Sequence, residues 1–222
     1  MASTHHPDLQ FLNDYAAGSL AAALSLCVSV HLAYCAQCRA QLNQLTSIGG
    51  ALIEQLAPTP VSDTLLDRVM AQIDAAPGAS TLRAQPLVQT SDVGQLPEVV
   101  SKLTGNDNKK LRWRRFGKVM SLVALKTGDL RHETVLYKIR AGGRLMLHGH
   151  RGTEITVVLR GSFSDFAGVY HNGDFIVRDS DDVHAPTATL DDDCMCLSVV
   201  DQPARLIGFM RILNPFMRIN PQ

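Results

Sequence analysis

Apolar residues recur along the first third of the chain at helical spacing and along the last two thirds in short, turn-bounded runs. Residues 8–75 read as helical. A short amphipathic segment over Leu9–Ala17 is interrupted by Gly18-Ser19, with Ser19 expected to cap the Ala/Leu-rich run that follows. Leu42, Leu45, Ile48 and Leu52 mark a third helix around Arg39–Leu56, ended by Pro58 and Pro60. Ser62 or Asp63 opens a fourth, with Leu65, Leu66, Val69, Met70 and Ile73 on one stripe. From Pro77 the texture becomes small and polar, predicting a linker. Strands then follow near Val119–Leu125, Thr134–Ile139, Ile155–Leu159, Asp174–Val177 and Cys196–Val200, separated by Gly, Asn and Asp clusters. Many short strands predict a sandwich or barrel. The expected organisation is a helical domain over 1–80, a linker over 81–95 and an all-β domain over 96–222.

Composition narrows the class. With 222 residues, 45% hydrophobic and 19% charged, the chain can bury real cores and is not a disordered tail. Lys plus Arg and Asp plus Glu both count 21, so no basic excess points to nucleic acid or an anionic membrane. The N-terminus lacks a basic segment followed by an apolar run, and Leu20–Ala33 is too short to span a bilayer. A cytoplasmic protein is expected, and its five cysteines are then thiols or metal ligands rather than a disulfide framework.

Two constellations carry chemistry. The first is His31-x3-Cys35-x2-Cys38. At about 100° per residue these three lie within roughly 60° of one another on a helix. If the helix breaks near Cys38, a metal would instead staple two helices together. One imidazole and two thiolates are one ligand short of a tetrahedral zinc site, and His6 or His5 can supply the fourth. Cys27 lies about 80° off that stripe and reads as a packed thiol.

The second is Gly142-x5-His148-x-His150-x3-Glu154-x6-Gly161, the pattern of the first cupin motif. Residues two apart on a strand share a face, so His148 and His150 point together. His184 falls where the second cupin motif places its histidine, after a turn at Gly173-Asp174. Ser180-Asp181-Asp182 replaces the Pro-x-Gly usual there, so this match is looser. Three imidazoles and a carboxylate suit Zn, Fe, Mn or Ni. His132 and His171 read as surface residues. Cys194 and Cys196 share a strand face and could line the barrel as buried thiols or as a redox or sensing pair.

The stretches HHPDLQFLNDYAAGSL, SLCVSVHLAYCAQCRAQL, RWRRFG, HGHRGTEITVVLRGSF and CMCLSVVDQPARL together resemble the ChrR family of zinc-binding anti-sigma factors over nearly the whole chain. The resemblance implies a multidomain α plus all-β protein, with an N-terminal four-helix zinc-binding anti-sigma domain and a C-terminal cupin barrel. It implies structural zinc on His6, His31, Cys35 and Cys38. It also implies a second divalent metal, zinc, on His148, His150, Glu154 and His184. Cys194 and Cys196 match the family's paired cupin cysteines.

The implied function is to sequester an extracytoplasmic-function (ECF) sigma factor from core RNA polymerase and to release it on singlet-oxygen or related oxidative stress. That function involves no catalytic step and no direct contact with nucleic acid or membrane. Apolar positions among Leu9, Leu20, Leu42, Leu65 and Val69 would then face the sigma factor. A cupin dioxygenase or isomerase with an accessory zinc domain is the alternative that the second metal set permits. A zinc-finger DNA regulator has only the basic cluster Lys109–Arg115 in its favour, and that cluster reads as a solvated strand edge.

Overall fold

The structure, a computed structural model, describes residues 3–75, 96–104, 111–202 and 204–206. The expected linker over 81–95 lies outside them, as do Lys109 and Lys110. The helices are α1 (Leu9–Ala16), α2 (Ala22–Tyr34), α3 (Ala36–Glu54), α4 (Leu65–Ala75) and α5 (Glu98–Leu103). The strands are β1 (Arg114–Phe116), β2 (Met120–Leu125), β3 (Glu133–Ile139), β4 (His148–Gly149), β5 (Glu154–Arg160), β6 (Phe163–Asp165), β7 (Gly168–Tyr170), β8 (Phe175–Arg178), β9 (Val183–His184), β10 (Thr187–Ala188), β11 (Cys194–Val200) and β12 (Arg205–Leu206). Helices followed by a cupin-type β domain is the expected fold class. The basic Arg114 and Arg115 do stand on an edge strand, β1, of the main sheet.

The main sheet runs β1-β2-β3-β11-β5-β8, and two three-stranded sheets, β10-β6-β7 and β12-β4-β9, complete the barrel. Its strands alternate strictly, yet both faces are apolar. On β5, Val158 points inward with Phe163, Tyr170 and Ile176, while Ile155, Val157 and Leu159 point outward. On β11, Cys194 and Cys196 point inward, Leu197 and Val199 outward. A sheet buried on both faces needs a second covering layer.

That layer is α2. Ala23, Leu26, Cys27, Val28, Val30, His31 and Leu32 are buried around its whole circumference, because one side meets β5, β8 and β11 and the other meets α1, α3 and α5. Each such Leu or Val removed from water contributes roughly 1.5–3 kcal/mol. The helical region and the outer face of the barrel therefore share one hydrophobic core.

Several local expectations are corrected. The cap of α2 is not Ser19, whose hydroxyl donates to Asp14 O; the helix begins at Ala22, and Asp129 of the β2–β3 loop accepts from Ala23 N at 3.3 Å. The third helix starts at Ala36, not Arg39, because Cys35 is extended (φ −105°, ψ 106°) and its Sγ accepts from Cys38 N, capping the new helix. Leu20 and Leu42 are not free surface: both are half-buried against the core, since α1 and α3 fold back over α2. By contrast Leu9, Leu65 and Val69 are exposed.

Candidate metal centres

The break at Cys35 shapes the first group. It ends α2 four residues after His31 and sets Cys38 in the first turn of α3, so the two thiols and the imidazole converge on one junction. The N-terminal arm brings His6 to the same point. His6 Nδ1 lies 3.4 Å from Cys35 Sγ, 3.5 Å from Cys38 Sγ and 3.5 Å from His31 Nε2. Tetrahedral zinc, with bonds of about 2.3 Å to sulfur and about 2.0–2.1 Å to nitrogen, requires about 3.5 Å between N and S and about 3.4 Å between two nitrogens. The donor set therefore fits zinc in both chemistry and spacing.

His5, the other expected candidate, turns away. Its Nδ1 lies 3.4 Å from Asp174 Oδ2, its main-chain N donates to Asp174 Oδ1 at 3.1 Å, and its carbonyl accepts from Phe175 N at 3.0 Å. Those bonds clip the arm to the barrel and leave His6 facing the thiols.

Burial favours the neutral forms of Cys38 and His31. The Cys38 thiol is pushed up to about 12 by burial, with Cys35 beside it adding to the effect. Burial lowers His31 to about 4, against the opposing pull of its bond to Gly173. That bond, His31 Nδ1 to Gly173 O at 2.6 Å, fixes the tautomer and leaves Nε2 free to ligate. Cys27 is buried on α2 outside the group.

The second group lies inside the barrel. β4 pairs with β9 so that His148 stands opposite His184, and Glu154 opens β5. His184 Nε2 is 3.1 Å from His148 Nε2 and 3.3 Å from His150 Nε2; Glu154 Oε2 is 2.9 Å from His150 Nε2 and 3.7 Å from His184 Nε2. His148 and His184 each turn Nδ1 to an oxygen acceptor, so a neutral imidazole at either place presents its Nε2 lone pair to the other, an arrangement that a cation satisfies. Met146 O accepts from His148 Nδ1 at 2.9 Å and Asp165 Oδ2 lies 3.4 Å from His184 Nδ1, both orienting the rings inward.

Burial lowers His148 to about 4 and also lowers His184. Burial would lower His150 too, but its bond to Glu154 outweighs that and raises it. Glu154 is buried, which would raise it, yet the three imidazoles hold it well below the usual carboxylate range. Ser198 donates to Glu154 Oε1 at 2.7 Å.

Among the described residues, these are the two groups of three or more metal-competent side chains, each with ligand atoms within 4.8 Å of one another. Cys194 and Cys196 join neither. They are fully buried on the inner face of β11, with sulfurs 3.6 Å apart, and burial and the neighbouring Cys194 raise the Cys196 thiol far above its ordinary value. His132 is only half-buried and pairs with Asp129 at 2.9 Å; His171 donates its main-chain N to Asp174. Both stay outside the two groups, as expected, and both are partly covered rather than fully exposed.

Residues 102–203 match the family model described as the ChrR cupin-like domain. The anti-sigma-E factor ChrR of Cereibacter sphaeroides is 36% identical to this chain, over 99% of this chain and 100% of its own length. The chain belongs to the ChrR family of anti-sigma factors. The crystal structure of Rhodobacter sphaeroides SigE in complex with the anti-sigma ChrR superposes with a TM-score of 0.76 at 34% identity, covering 90% of this chain and 100% of that one.

Sequence reasoning missed three residues that support the first group in this ChrR-family chain. Asp174 gathers the main-chain N–H groups of Thr4, His5 and His171; Gly173 offers its carbonyl to His31; Asp129 caps α2. The Gly-Asp pair was legible as a turn, but its partners Thr4, His5 and His31 lie more than 140 positions away. Among the described residues no helix is long and apolar enough to cross a membrane.

Proposed function

We propose that this chain sequesters an ECF sigma factor from core RNA polymerase through its helical region, and that the barrel governs release on singlet-oxygen or related oxidative stress. The observation that carries this reading is α4. It is an 11-residue helix with no buried residue, and its stripe of Leu65, Leu66, Val69, Met70 and Ile73 is exposed. Isolated helices this short are marginal in water, so such a stripe is matched to a partner surface. Ile48, Leu52 and Ile53 extend the apolar surface along the far half of α3. A cytoplasmic location follows from such a partner.

In this reading His6, His31, Cys35 and Cys38 hold a structural zinc that fastens α2, α3 and the arm. His148, His150, Glu154 and His184 hold a second divalent ion, zinc, in the sensing barrel. The protein is not an enzyme: its action is steric, and a change from mostly bound to mostly free needs several kcal/mol of differential affinity. Cys194 and Cys196 are the second candidate for receiving the signal. Burial and the neighbouring sulfur keep Cys196 in the less reactive thiol form.

The test is co-expression with the candidate sigma factor. The intact chain should co-purify with it; Val69→Asp/Ile73→Asp should abolish capture while leaving metal content unchanged. Failure of the intact chain to capture sigma rejects the reading. Truncation from Pro86 onward should capture sigma without releasing it, if the division into 1–80 and 96–222 describes effector and sensor. Turnover of a small acid or diketone, lost in His148→Ala, would favour the enzyme instead.

A further inference from the structure

The barrel holds a buried charged cluster with no part in either ligand set. Asp165 Oδ2 faces His184 Nδ1 at 3.4 Å and accepts from Arg178 Nη2 at 2.7 Å. The same Nη2 donates to Tyr170 Oη at 2.6 Å, and Tyr170 Oη donates to Asp165 Oδ1 at 3.4 Å. The ring of Tyr170 then packs against the ring of His5, with centroids 4.8 Å apart. His5 is the residue clipped by Asp174 and Phe175, and it immediately precedes His6. An unbroken series of contacts thus leads from a histidine of the barrel group to the arm that presents a histidine to the helical group.

Stability alone does not account for these residues. The Asp165 and Arg178 side chains are 1% and 12% exposed, and Arg178 Nε is buried without a hydrogen-bond partner. A buried ion pair contributes little compared with apolar packing of the same volume. Its geometry, however, is directional. A carboxylate hydrogen-bonded to the far nitrogen of a metal-ligating histidine is held in place by that ligation. Here that carboxylate also fixes the arginine that fixes Tyr170, the surface on which His5 rests.

We propose that the Asp165–Arg178–Tyr170 triad couples the two metal centres, so that metal on the barrel group sets the position of the arm and thereby the hold of His6 on the helical metal. Loss of the barrel metal frees His184, Asp165 loses an anchored partner, and the Tyr170 platform beneath His5 shifts. The coupling rests on the sensor-and-effector reading only for its purpose; its existence is measurable without a sigma factor. Asp165, Arg178 and Tyr170 are positioning residues in this scheme, touching no metal themselves.

The full-length chain loaded with Co(II) provides the readout. Only the helical group contains sulfur ligands, so its thiolate-to-cobalt charge-transfer band reports that group alone. The rate at which a chelator removes the band is measured for wild type, His148→Ala, Arg178→Met and the double variant, with metal content confirming that the barrel is empty in His148→Ala. Each single substitution should speed removal on the order of fivefold, the low end of ordinary coupling between sites. The double variant should be no faster than the faster single one. Effects that multiply, or a rate unchanged by His148→Ala, overturn the proposal. Tyr170→Phe, which deletes only the hydroxyl, repeats the cycle if Arg178→Met does not fold. Sigma co-purification is scored separately. A chain that shows the coupling but captures no sigma refutes the functional reading and not the triad; the reverse result refutes only the triad.

Discussion

The helical group draws three of its four side chains from one helix junction and includes two thiols, whereas the barrel group draws its four from β4, its following turn, β5 and β9 and includes no sulfur. The first gathers an arm, the end of α2 and the start of α3 at one junction. The second sits inside a barrel already closed by strand pairing and by a continuous apolar interior. A metal in the first place would contribute directly to folding; one in the second would join a fold that strand pairing already closes. The difference separates a structural fastener from a site suited to reporting on conditions.

The sharpest break of that comparison is Cys35→Ser/Cys38→Ser. Structural zinc in small domains contributes about 10–16 kcal/mol of apparent binding energy, so the double variant should lose helical structure around the α2–α3 junction while the barrel strands stay paired. Circular dichroism should show helix loss, and metal analysis the loss of the helical ion alone. An intact helical spectrum without that ion would remove the fastener role.

Next in size is Gly173→Ala. Gly173 has φ +86°, and a Cβ there would collide with Tyr34 Cβ and Ser3 Oγ. Strain and overlap together should cost about 2–4 kcal/mol in urea titration, and chelators should take the helical metal faster while the barrel metal stays.

Glu154→Gln should empty the barrel and cost about 1–2 kcal/mol by weakening a buried hydrogen-bond set. Helical metal content should be unchanged. Concerted loss of both ions would show a dependence far stronger than the roughly fivefold change in removal rate expected through the triad.

The smallest effect tests the fastening of barrel to helix. Burial would raise the Asp129 carboxyl, but bonds from Arg131 N, Ala23 N and the His132 ring outweigh it and hold it below its ordinary value of 3.8. A depressed carboxylate contributes stability above its unfolded pKa and loses it as pH falls through the folded one. Asp129→Ala should therefore cost about 1 kcal/mol at neutral pH, as for other helix caps. The gap from wild type should close only below the ordinary carboxylate range. A gap that closes near pH 6 would assign the effect to another group.

Both ligand groups were legible because their chemistry is local: His31, Cys35 and Cys38 at helical spacing, His148, His150 and Glu154 on a strand and its turn. The longer strands β2, β3, β5, β8 and β11 were legible to within one or two residues for the same reason. What escaped is nonlocal. Ser19 had the right chemistry for a cap, but an aspartate over a hundred positions away holds the helix end. Leu20 and Leu42 carried no mark that α2 and its neighbours would half-cover them. The choice between His5 and His6 was made by Asp174, and nothing in the spacing of the N-terminus foretold that partner.

The contact between His31 and Gly173 runs through a main-chain carbonyl. No side-chain substitution can delete that oxygen, so the bond depends on the shape of the turn rather than on its chemistry. Asp174 apart, the flanking sequence is therefore free to drift as long as position 173 keeps its left-handed conformation. A link of this kind is vulnerable at the glycine and at the aspartate that shapes its turn, and tolerates mutation elsewhere around it.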